Sequence, residues 1–338
     1  MSATPSSFAP AAPAVASAIA GCRSALGEGA PAQGFAADLA RALASRPRSI
    51  SPKYFYDAEG SRLFDRICEL PEYYPTRTEL GILATHAGAI AAQIGPRAEI
   101  VEFGAGSCVK VELLLAAMDR PARYLPIDIS GEHLAAAAAE LRTSFPALDV
   151  QPVVADYTQQ LLLPAPLAGA ARRVGFFPGS TIGNFTPLEA LDFLEATGQA
   201  LRGGALLMGA DLVKEPSVLH AAYSDAQGVT AAFNLNLLAR ANRELGTDFV
   251  LEQFSHSAFY NAPLQRIEMH LVSRCRQHVT HDGRRHEFEE GETLHTENSY
   301  KFTIDGLREL ASRAGFTPGP VWTDPARLFS LHWLQAPQ

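Results

Sequence analysis

Two glycines and one aspartate carry the first chemical signal in this chain. The apolar run Ile100-Val101 leads into Glu102-Phe-Gly-Ala-Gly106, and Val111, Leu114, Leu115 and Met118 follow at helical spacing, so the segment predicts a strand, a glycine turn and a helix. A second short strand, Tyr124-Leu-Pro-Ile-Asp128, ends in a carboxylate 24 residues after Gly104, where the two hydroxyls of a nucleoside ribose would be received. A nucleoside cofactor suits that arrangement. A dinucleotide suits it less, because Gly104-X-Gly106 continues as Ser107-Cys108-Val109 and puts Val109 where tight helix packing asks for a third small residue. An ordinary strand-to-helix turn is the plain alternative.

An acidic residue two before the first glycine, a GxG turn and a later strand-end aspartate together resemble the pattern of S-adenosylmethionine (SAM) methyltransferases, whose cofactor has no pyrophosphate to cradle. Methyl transfer from a sulfonium is an in-line displacement with a thioether leaving group that needs no acid. Groups that align and desolvate the nucleophile therefore matter more than a base. Several segments offer such groups. Phe176-Phe-Pro-Gly-Ser-Thr-Ile-Gly-Asn184 leaves a strand into a polar loop, where Gly179 can present a carbonyl and Asn184 an amide; the plain alternative is that Asn184 only caps a helix beginning at Pro187. Tyr56 and Tyr73 lie near helix ends and Tyr223 on a helix, and each is either a hydroxyl donor or a core aromatic. Glu297 and Ser299, with Asn298 between them, share a face if 294–302 is extended; a carboxylate beside a hydroxyl can hold both nitrogens of an imidazole. A solvated strand face competes with that reading. The ten histidines show no HxxxH or HxH pairing, and His278, His281 and His286 surround a predicted turn, so they are expected at the surface and no metal site is expected.

Elements must hold these residues in place. Phe35–Ala44 has helical spacing, and Ser61–Leu70 puts Leu63, Phe64, Ile67 and Leu70 on one face until Pro71 stops it. The central section then alternates: strand 100–103, helix to Met118, strand 124–128, helix 132–145, strand 150–156, strand 174–177, helix 188–201 and strand 205–211. Such alternation predicts a parallel sheet covered by helices, with ligand at the carboxyl ends of the strands, where Gly104, Asp128, Asp156 and Gly179 fall. From Pro216 the rhythm changes to helices 218–223 and 229–245, then long alternating strands such as Ile267–Leu271 and a hairpin turn at Asp282-Gly283. Helix 303–314 and strands 321–323 and 328–334 return to the first pattern. The fold class expected is α/β: a Rossmann-like SAM methyltransferase sheet from 78–213 plus 301–338, with a smaller α+β substrate domain from 36–77 plus 214–300.

Composition narrows the partners. At 338 residues the chain has room for about two domains, and 47% hydrophobic with 19% charged residues fits a soluble globular protein. A formal charge of -8, with no basic cluster larger than Arg284-Arg285, opposes nucleic acid binding. Cys22, Cys68, Cys108 and Cys275 are scattered without CxxC spacing, which points to a reducing cytoplasm. Residues 1–35, rich in Ala, Pro, Ser and Gly, read as a poorly ordered leader. Met1 to Gly21 has no Lys or Arg, so a signal peptide is not expected, and no apolar run reaches the length of a membrane span.

Five stretches in order complete the picture: Ser51-Pro-Lys-Tyr-Phe-Tyr-Asp57, Leu70-Pro-Glu-Tyr-Tyr-Pro-Thr-Arg77, Phe177-Pro-Gly-Ser-Thr-Ile-Gly-Asn-Phe185, Gly228-Val-Thr-Ala-Ala-Phe-Asn234 and Thr296-Glu-Asn-Ser-Tyr-Lys-Phe302. Over about residues 45 to 335 the chain resembles the histidine Nα-methyltransferases of ergothioneine biosynthesis. The resemblance implies SAM as donor, L-histidine and its mono- and dimethylated forms as acceptors, and the trimethylated betaine hercynine as product. It makes Gly104, Gly106, Lys110, Asp128, Asp156 and Tyr157 cofactor contacts and Asn184 and Tyr223 holders of the substrate carboxylate. Gly179, Tyr56 and Tyr73 then line the amine end, Glu297 and Ser299, flanking Asn298, clamp the imidazole, and Met269 packs beside that ring. One departure is Ser107-Cys108-Val109, where a more polar loop is expected. A methyltransferase for another amino acid such as tryptophan would not need Glu297 with Met269, and a non-catalytic SAM sensor need not keep Asn184, Tyr223 and Glu297. A monomer is expected, without membrane or nucleic acid partners.

Overall fold

Apolar runs too short for helices build the centre of the molecule. The computed structural model describes residues 32–106, 108–129, 131–159 and 163–338; residues 1–31 of the expected leader and Ser107 of the glycine loop lie outside them. The first half contains α1 (Ala32–Ala44), β1 (Arg48–Ser49), α2 (Ala58–Glu69), α3 (Tyr74–Ile94), β2 (Glu99–Phe103), α4 (Val109–Ala117), β3 (Arg123–Asp128), α5 (Gly131–Ser144), β4 (Asp149–Val150) and β5 (Val153–Val154). There follow β6 (Arg173–Phe177), α6 (Pro187–Ala200), β7 (Ala205–Asp211), α7 (Pro216–Tyr223), α8 (Val229–Leu245), β8 (Phe254–Asn261) and β9 (Arg266–Ser273). The chain ends with β10 (Gln277–His281), β11 (Arg284–Phe288), β12 (Thr293–Tyr300), α9 (Ile304–Arg313), β13 (Thr317–Thr323) and β14 (Phe329–Gln335).

An eight-stranded sheet runs β13-β14-β7-β6-β2-β3-β4, with β5 also on β3. Its middle strands are parallel, and β14 and β13 close one edge antiparallel. β2 and β7 are buried at every position, which is why they read as continuous apolar runs rather than as alternating strands. The chain leaves β2 for β3 on one side and later returns to β6 on the other. That reversal opens the crevice where such sheets bind ligands, and Gly104 and Gly179 follow the two strands that flank it. A second sheet, β1-β12-β9-β8, is antiparallel apart from β1 and has its own core, including Phe35, Phe55, Ile67, Phe233, Met269 and Leu271. The β10–β11 hairpin turns at Asp282-Gly283, both at positive φ (48° and 69°), as the expected tight turn requires. Among the described residues no helix is long and apolar enough to cross a membrane.

Helix α2 stops at Glu69, ahead of Pro71 as expected, but a further helix follows where none was read: α3 runs 21 residues, with Pro75 in its first turn, where a missing N–H is harmless. It passes through the boundary expected at 77/78, Tyr74 packing in the core of the smaller sheet and Ile82, Leu83 and Ile90 in a core of the larger. The strand expected over 150–156 is two two-residue strands separated by Gln151-Pro152, because proline offers no ladder N–H, and Asp156 falls beyond them. His281 is buried, its Nε2 3.3 Å from the Ala36 carbonyl oxygen, while His278 stays exposed beside Arg285. Thr186, not Asn184, caps α6: its Oγ1 accepts from the Glu189 N–H at 3.3 Å and the Glu189 carboxylate accepts from the Thr186 N–H at 2.8 Å.

Asn184 instead ends a 3-10 turn, Thr181–Asn184, laid against the end of β12. Glycine permits that approach, since a Cβ on Gly183 would stand 2.8 Å from the Tyr300 carbonyl oxygen and 3.2 Å from its nitrogen. Gly183→Ala is expected to destabilise the protein by about 1–3 kcal/mol. Urea denaturation should show a lower midpoint with an unchanged slope.

Candidate functional site

The glycine turn is covered by an aromatic ring. Gly104 sits at φ 76°, a conformation costly for other residues, while its N–H and that of Ala105 donate to the Ile127 carbonyl at 2.9 and 3.0 Å. A Cβ there would come within 3.3 Å of the Tyr157 hydroxyl. Tyr157 meets Phe103 and Phe177 edge-on, and burial first, then Asp128 and Asp156, push its hydroxyl above the ordinary range. Asp128 ends β3 one residue before Ile129, which packs on the core of the smaller sheet. Asp156 accepts from the Thr158 N–H at 2.9 Å and faces Lys53 at 3.4 Å; burial opposes its charge, but Thr158 and Lys53 outweigh it and hold the carboxyl low.

Lys110, in the first turn of α4, is committed to protein. Its ammonium pairs at 2.6 Å with Glu79 of α3, and burial is outweighed by that carboxylate, so it stays charged. Glu79, fully buried, also accepts from the Gly179 N–H at 2.9 and 3.0 Å, tying α3 and α4 to the loop after β6. Glu102, the acidic residue before the glycines, accepts from the Tyr124 hydroxyl, and burial pushes its pKa to about 8. It is a structural group.

A pocket opens between the helices and the smaller sheet. Its walls are Phe64 and Ile67 of α2, Tyr73 ahead of α3, Ala222 and Tyr223 of α7, Thr230 and Phe233 of α8, Met269 of β9 and Glu297 of β12. The atom-free space between them, open solvent included, is about 280 Å³. Met269 and Glu297 are directly paired across the ladder. No described residue donates a hydrogen bond to the Glu297 carboxylate, and burial pushes its pKa up to about 7 against the opposing influence of Lys301. The Thr230 hydroxyl is likewise buried without a partner. Tyr56 packs edge-on against Phe64 and Phe233 at 5.5 and 5.7 Å, and Tyr73 against Phe64 and Tyr223 at 6.2 and 6.3 Å. Burial, followed by Glu297 for Tyr56 and Tyr223 for Tyr73, keeps both phenols protonated. Glu297 of the pocket and Tyr157 of the glycine turn both act on Tyr56, so it lies near each.

Behind the pocket wall the Tyr223 hydroxyl donates to Ser299 Oγ at 2.7 Å, and the buried Lys301 ammonium donates to both. Tyr56, Tyr73, Tyr223, Met269, Glu297 and Ser299 are thus brought together. Asn298 is not: it pairs with Glu268, and strand alternation puts it on the opposite face of β12. Gly179 and Asn184 lie on the loop after β6, outside the pocket lining. Sequence reasoning missed Lys301, although 297, 299 and 301 step along the chain with the period of one strand face. It also passed over Thr230 and Phe233, which stand inside the quoted stretch 228–234.

On the outer face, Glu268, His270 and His295 bring three potential ligand atoms within 4.8 Å of one another. Glu268 already accepts from Arg266 and Asn261, both at 2.8 Å, and pairs with His270 at 3.1 Å, while the two imidazoles stack at 4.7 Å.

Residues 35–336 match the family described as "Histidine-specific methyltransferase, SAM-dependent". A histidine N-alpha-methyltransferase of Mycolicibacterium smegmatis is 42% identical over 300 residues, covering 87% of this chain and 92% of that protein. The histidine N-alpha-methyltransferase of Mycobacterium tuberculosis is 38% identical over 318 residues, covering 90% and 96%. Ergothioneine biosynthesis protein 1 of Neurospora crassa is 30% identical over 296 residues, which span 82% of this chain and 32% of that longer protein.

Glu297 weakens the fold that contains it. With its carboxyl raised from the ordinary 4.5 to about 7, the unfolded chain gives up this proton first as pH rises. Its contribution to stability is therefore lost through that window and stays lost above it. Glu297→Gln should remove the effect, so that between about pH 5 and 8 the difference in unfolding free energy moves in the variant's favour by about 2–4 kcal/mol. Denaturation of both proteins at the two pH values measures this; a pH-independent difference would mean the carboxylate is solvated.

Proposed function

This chain belongs to the SAM-dependent, histidine-specific methyltransferases, and on that premise we propose that it transfers three methyl groups from SAM to the α-amino nitrogen of L-histidine. The product is hercynine, and the pathway ergothioneine biosynthesis. The observation that carries this reading is Glu297, a desolvated carboxylate on an otherwise largely apolar pocket wall, paired across the ladder with Met269. A buried acceptor without a donor suits a ligand that brings an N–H, and an imidazole does so.

In this reading Asp128 accepts from the ribose hydroxyls, Gly104 and Gly106 let the cofactor approach the backbone, and Asp156 and Tyr157 flank its base. Lys110 supports that side through Glu79 rather than by touching the cofactor. Asn184 and Tyr223 take the substrate carboxylate, while Gly179, Tyr56 and Tyr73 surround the amine. Holding a substrate by its two ends leaves the amine free to rotate a lone pair toward the sulfonium methyl. Three rounds exhaust it, since the quaternary nitrogen has no lone pair. The eight-stranded half (78–213 plus 301–338) serves the cofactor and the other half (36–77 plus 214–300) the substrate, in a monomer working in the cytoplasm, and Cys68, Cys108 and Cys275 form no disulfide with one another.

Asp128→Ala should weaken SAM and S-adenosylhomocysteine binding by roughly 1.5–3 kcal/mol per hydrogen bond lost, with histidine affinity changing less. Calorimetry giving wild-type SAM affinity would remove Asp128 from the cofactor site. Glu297→Ala should lower histidine kcat/KM by about 10- to 150-fold and relax discrimination against tryptophan, and adding Met269→Val should relax it further. The assay is mass spectrometry of products from SAM with histidine or tryptophan. Methyl on a ring nitrogen, or an unchanged histidine-to-tryptophan ratio in a variant that still binds SAM, would refute the reading.

A further inference from the structure

Lys301 uses every proton it has on groups behind the pocket wall. A lysine ammonium has three N–H donors, and here they meet Asp211 Oδ2 at 3.0 Å, Ser299 Oγ at 2.6 Å and the Tyr223 hydroxyl oxygen at 3.2 Å. Both hydroxyl oxygens are therefore acceptors, and they are hydrogen-bonded to each other at 2.7 Å. Two hydroxyl protons remain, and one occupies the bond between the oxygens. A phenol donates better and accepts worse than an aliphatic alcohol, so Tyr223 gives its proton to Ser299. Ser299 Oγ then accepts twice, from Lys301 and Tyr223, and both its lone pairs are filled. Its own proton is left uncommitted, and Ser299 shares its strand face with Glu297, which lines the pocket.

We propose that Lys301 is a positioning residue that, together with Tyr223, makes Ser299 an obligate hydrogen-bond donor, so that the substrate ring is read as a neutral imidazole with its N–H on Glu297 and its lone-pair nitrogen on Ser299. This rests on histidine being the substrate. It also changes the part given to Tyr223, whose single proton goes to Ser299 and is not available to the substrate carboxylate while that bond stands. Glu297 and Ser299 alone would accept a ring with two N–H groups or one. The ammonium removes that ambiguity by filling the serine's lone pairs, and its positive charge beside the ring opposes an imidazolium as well.

The two pyrrolyl-alanine isomers, each with one ring nitrogen of histidine replaced by C–H, isolate the effect. Calorimetry with S-adenosylhomocysteine bound gives the affinity of L-histidine relative to the better-binding isomer. In wild type the isomer leaves the Ser299 proton unsatisfied and histidine is preferred. Lys301→Met frees Ser299 to turn its proton to Tyr223, and the preference should fall by roughly 5- to 100-fold. Lys301→Gln, whose amide still donates, should retain most of it. Tyr223→Phe should also relax the ratio, and contacts to the amino-acid backbone cancel in it; this variant decides the matter if Lys301→Met fails to fold. Ratios unchanged in Tyr223→Phe, or in a Lys301→Met protein that binds S-adenosylhomocysteine normally, would overturn the proposal. Wild type that binds neither ligand would overturn the histidine reading itself.

Discussion

One buried carboxylate joins the two sheets. Asp211, the last residue of β7 and 1% exposed, accepts from the Tyr74 hydroxyl at 2.7 and 2.9 Å, pairs with Lys214 and meets Lys301 at 3.0 Å. The first donor starts α3, the second lies on the loop after β7, and the third follows β12 of the smaller sheet. Alone, such a charge would cost several kcal/mol to bury, and here donors from three parts of the chain offset that cost. Backbone bonds repeat the connection: Phe302 N–H donates to the Asp211 carbonyl and Val213 N–H to that of Phe302, both at 2.9 Å. Strand β7, which ends at the cofactor crevice, is thereby locked to the segment that carries Glu297, Ser299 and Lys301.

The charges at that junction do not balance within the cluster, since Asp211 faces two ammonium groups. The excess is positive and lies behind the pocket wall, where it moderates the cost of ionising Glu297 without eliminating it. Burial lowers Lys214 to about 8 against the opposing pull of Asp211, and the Lys301 ammonium adds to the drop. The same dry surroundings act on the aromatic wall in the opposite sense. Tyr56, Tyr73 and Tyr223 are all pushed upward by burial, so they remain phenols at neutral pH. For a reaction that delivers a methyl group from a sulfonium this matters, because a phenolate would be a competing nucleophile and a phenol is a poor one. The phenols of this wall remain hydrogen-bond donors and poor methyl acceptors.

Much of the larger sheet was legible because its signals are local. The apolar runs at 100–103, 124–128, 174–177 and 205–211 each became strands, and the Asp282-Gly283 turn carried its own backbone geometry. Strand alternation was enough to put Glu297 and Ser299 on one face. Where a second influence intervened, the local signal misled. α3 has apolar residues on faces that pack against both halves of the molecule, so it lacks the single stripe that marks an amphipathic helix, and Pro71, which does end α2, gave no sign that another helix follows. Asn184 looked like a cap because a helix follows closely, yet Thr186 with Glu189 does that work and leaves the Asn184 turn to approach β12.

Three of the residues that went unread share a different property: each acts on another protein group rather than on a ligand. Glu79 holds Lys110 and Gly179, Asp211 holds Tyr74, Lys214 and Lys301, and Lys301 holds Ser299 and Tyr223. Their partners are as much as 137 residues away, as in the Tyr74 to Asp211 bond, and no spacing rule along the chain anticipates such a meeting. A ligand-facing carboxylate and a support-facing one are also the same letter in a sequence. What separates them is how completely their hydrogen bonds are satisfied once folded. Asp211 and Glu79 are saturated by protein donors, whereas Glu297 is buried with none among the described residues. Unmet capacity in a buried polar group destabilises the empty protein and is relieved by a molecule that brings the missing donor, which is why, of the three carboxylates, Glu297 is the one proposed to read the substrate ring.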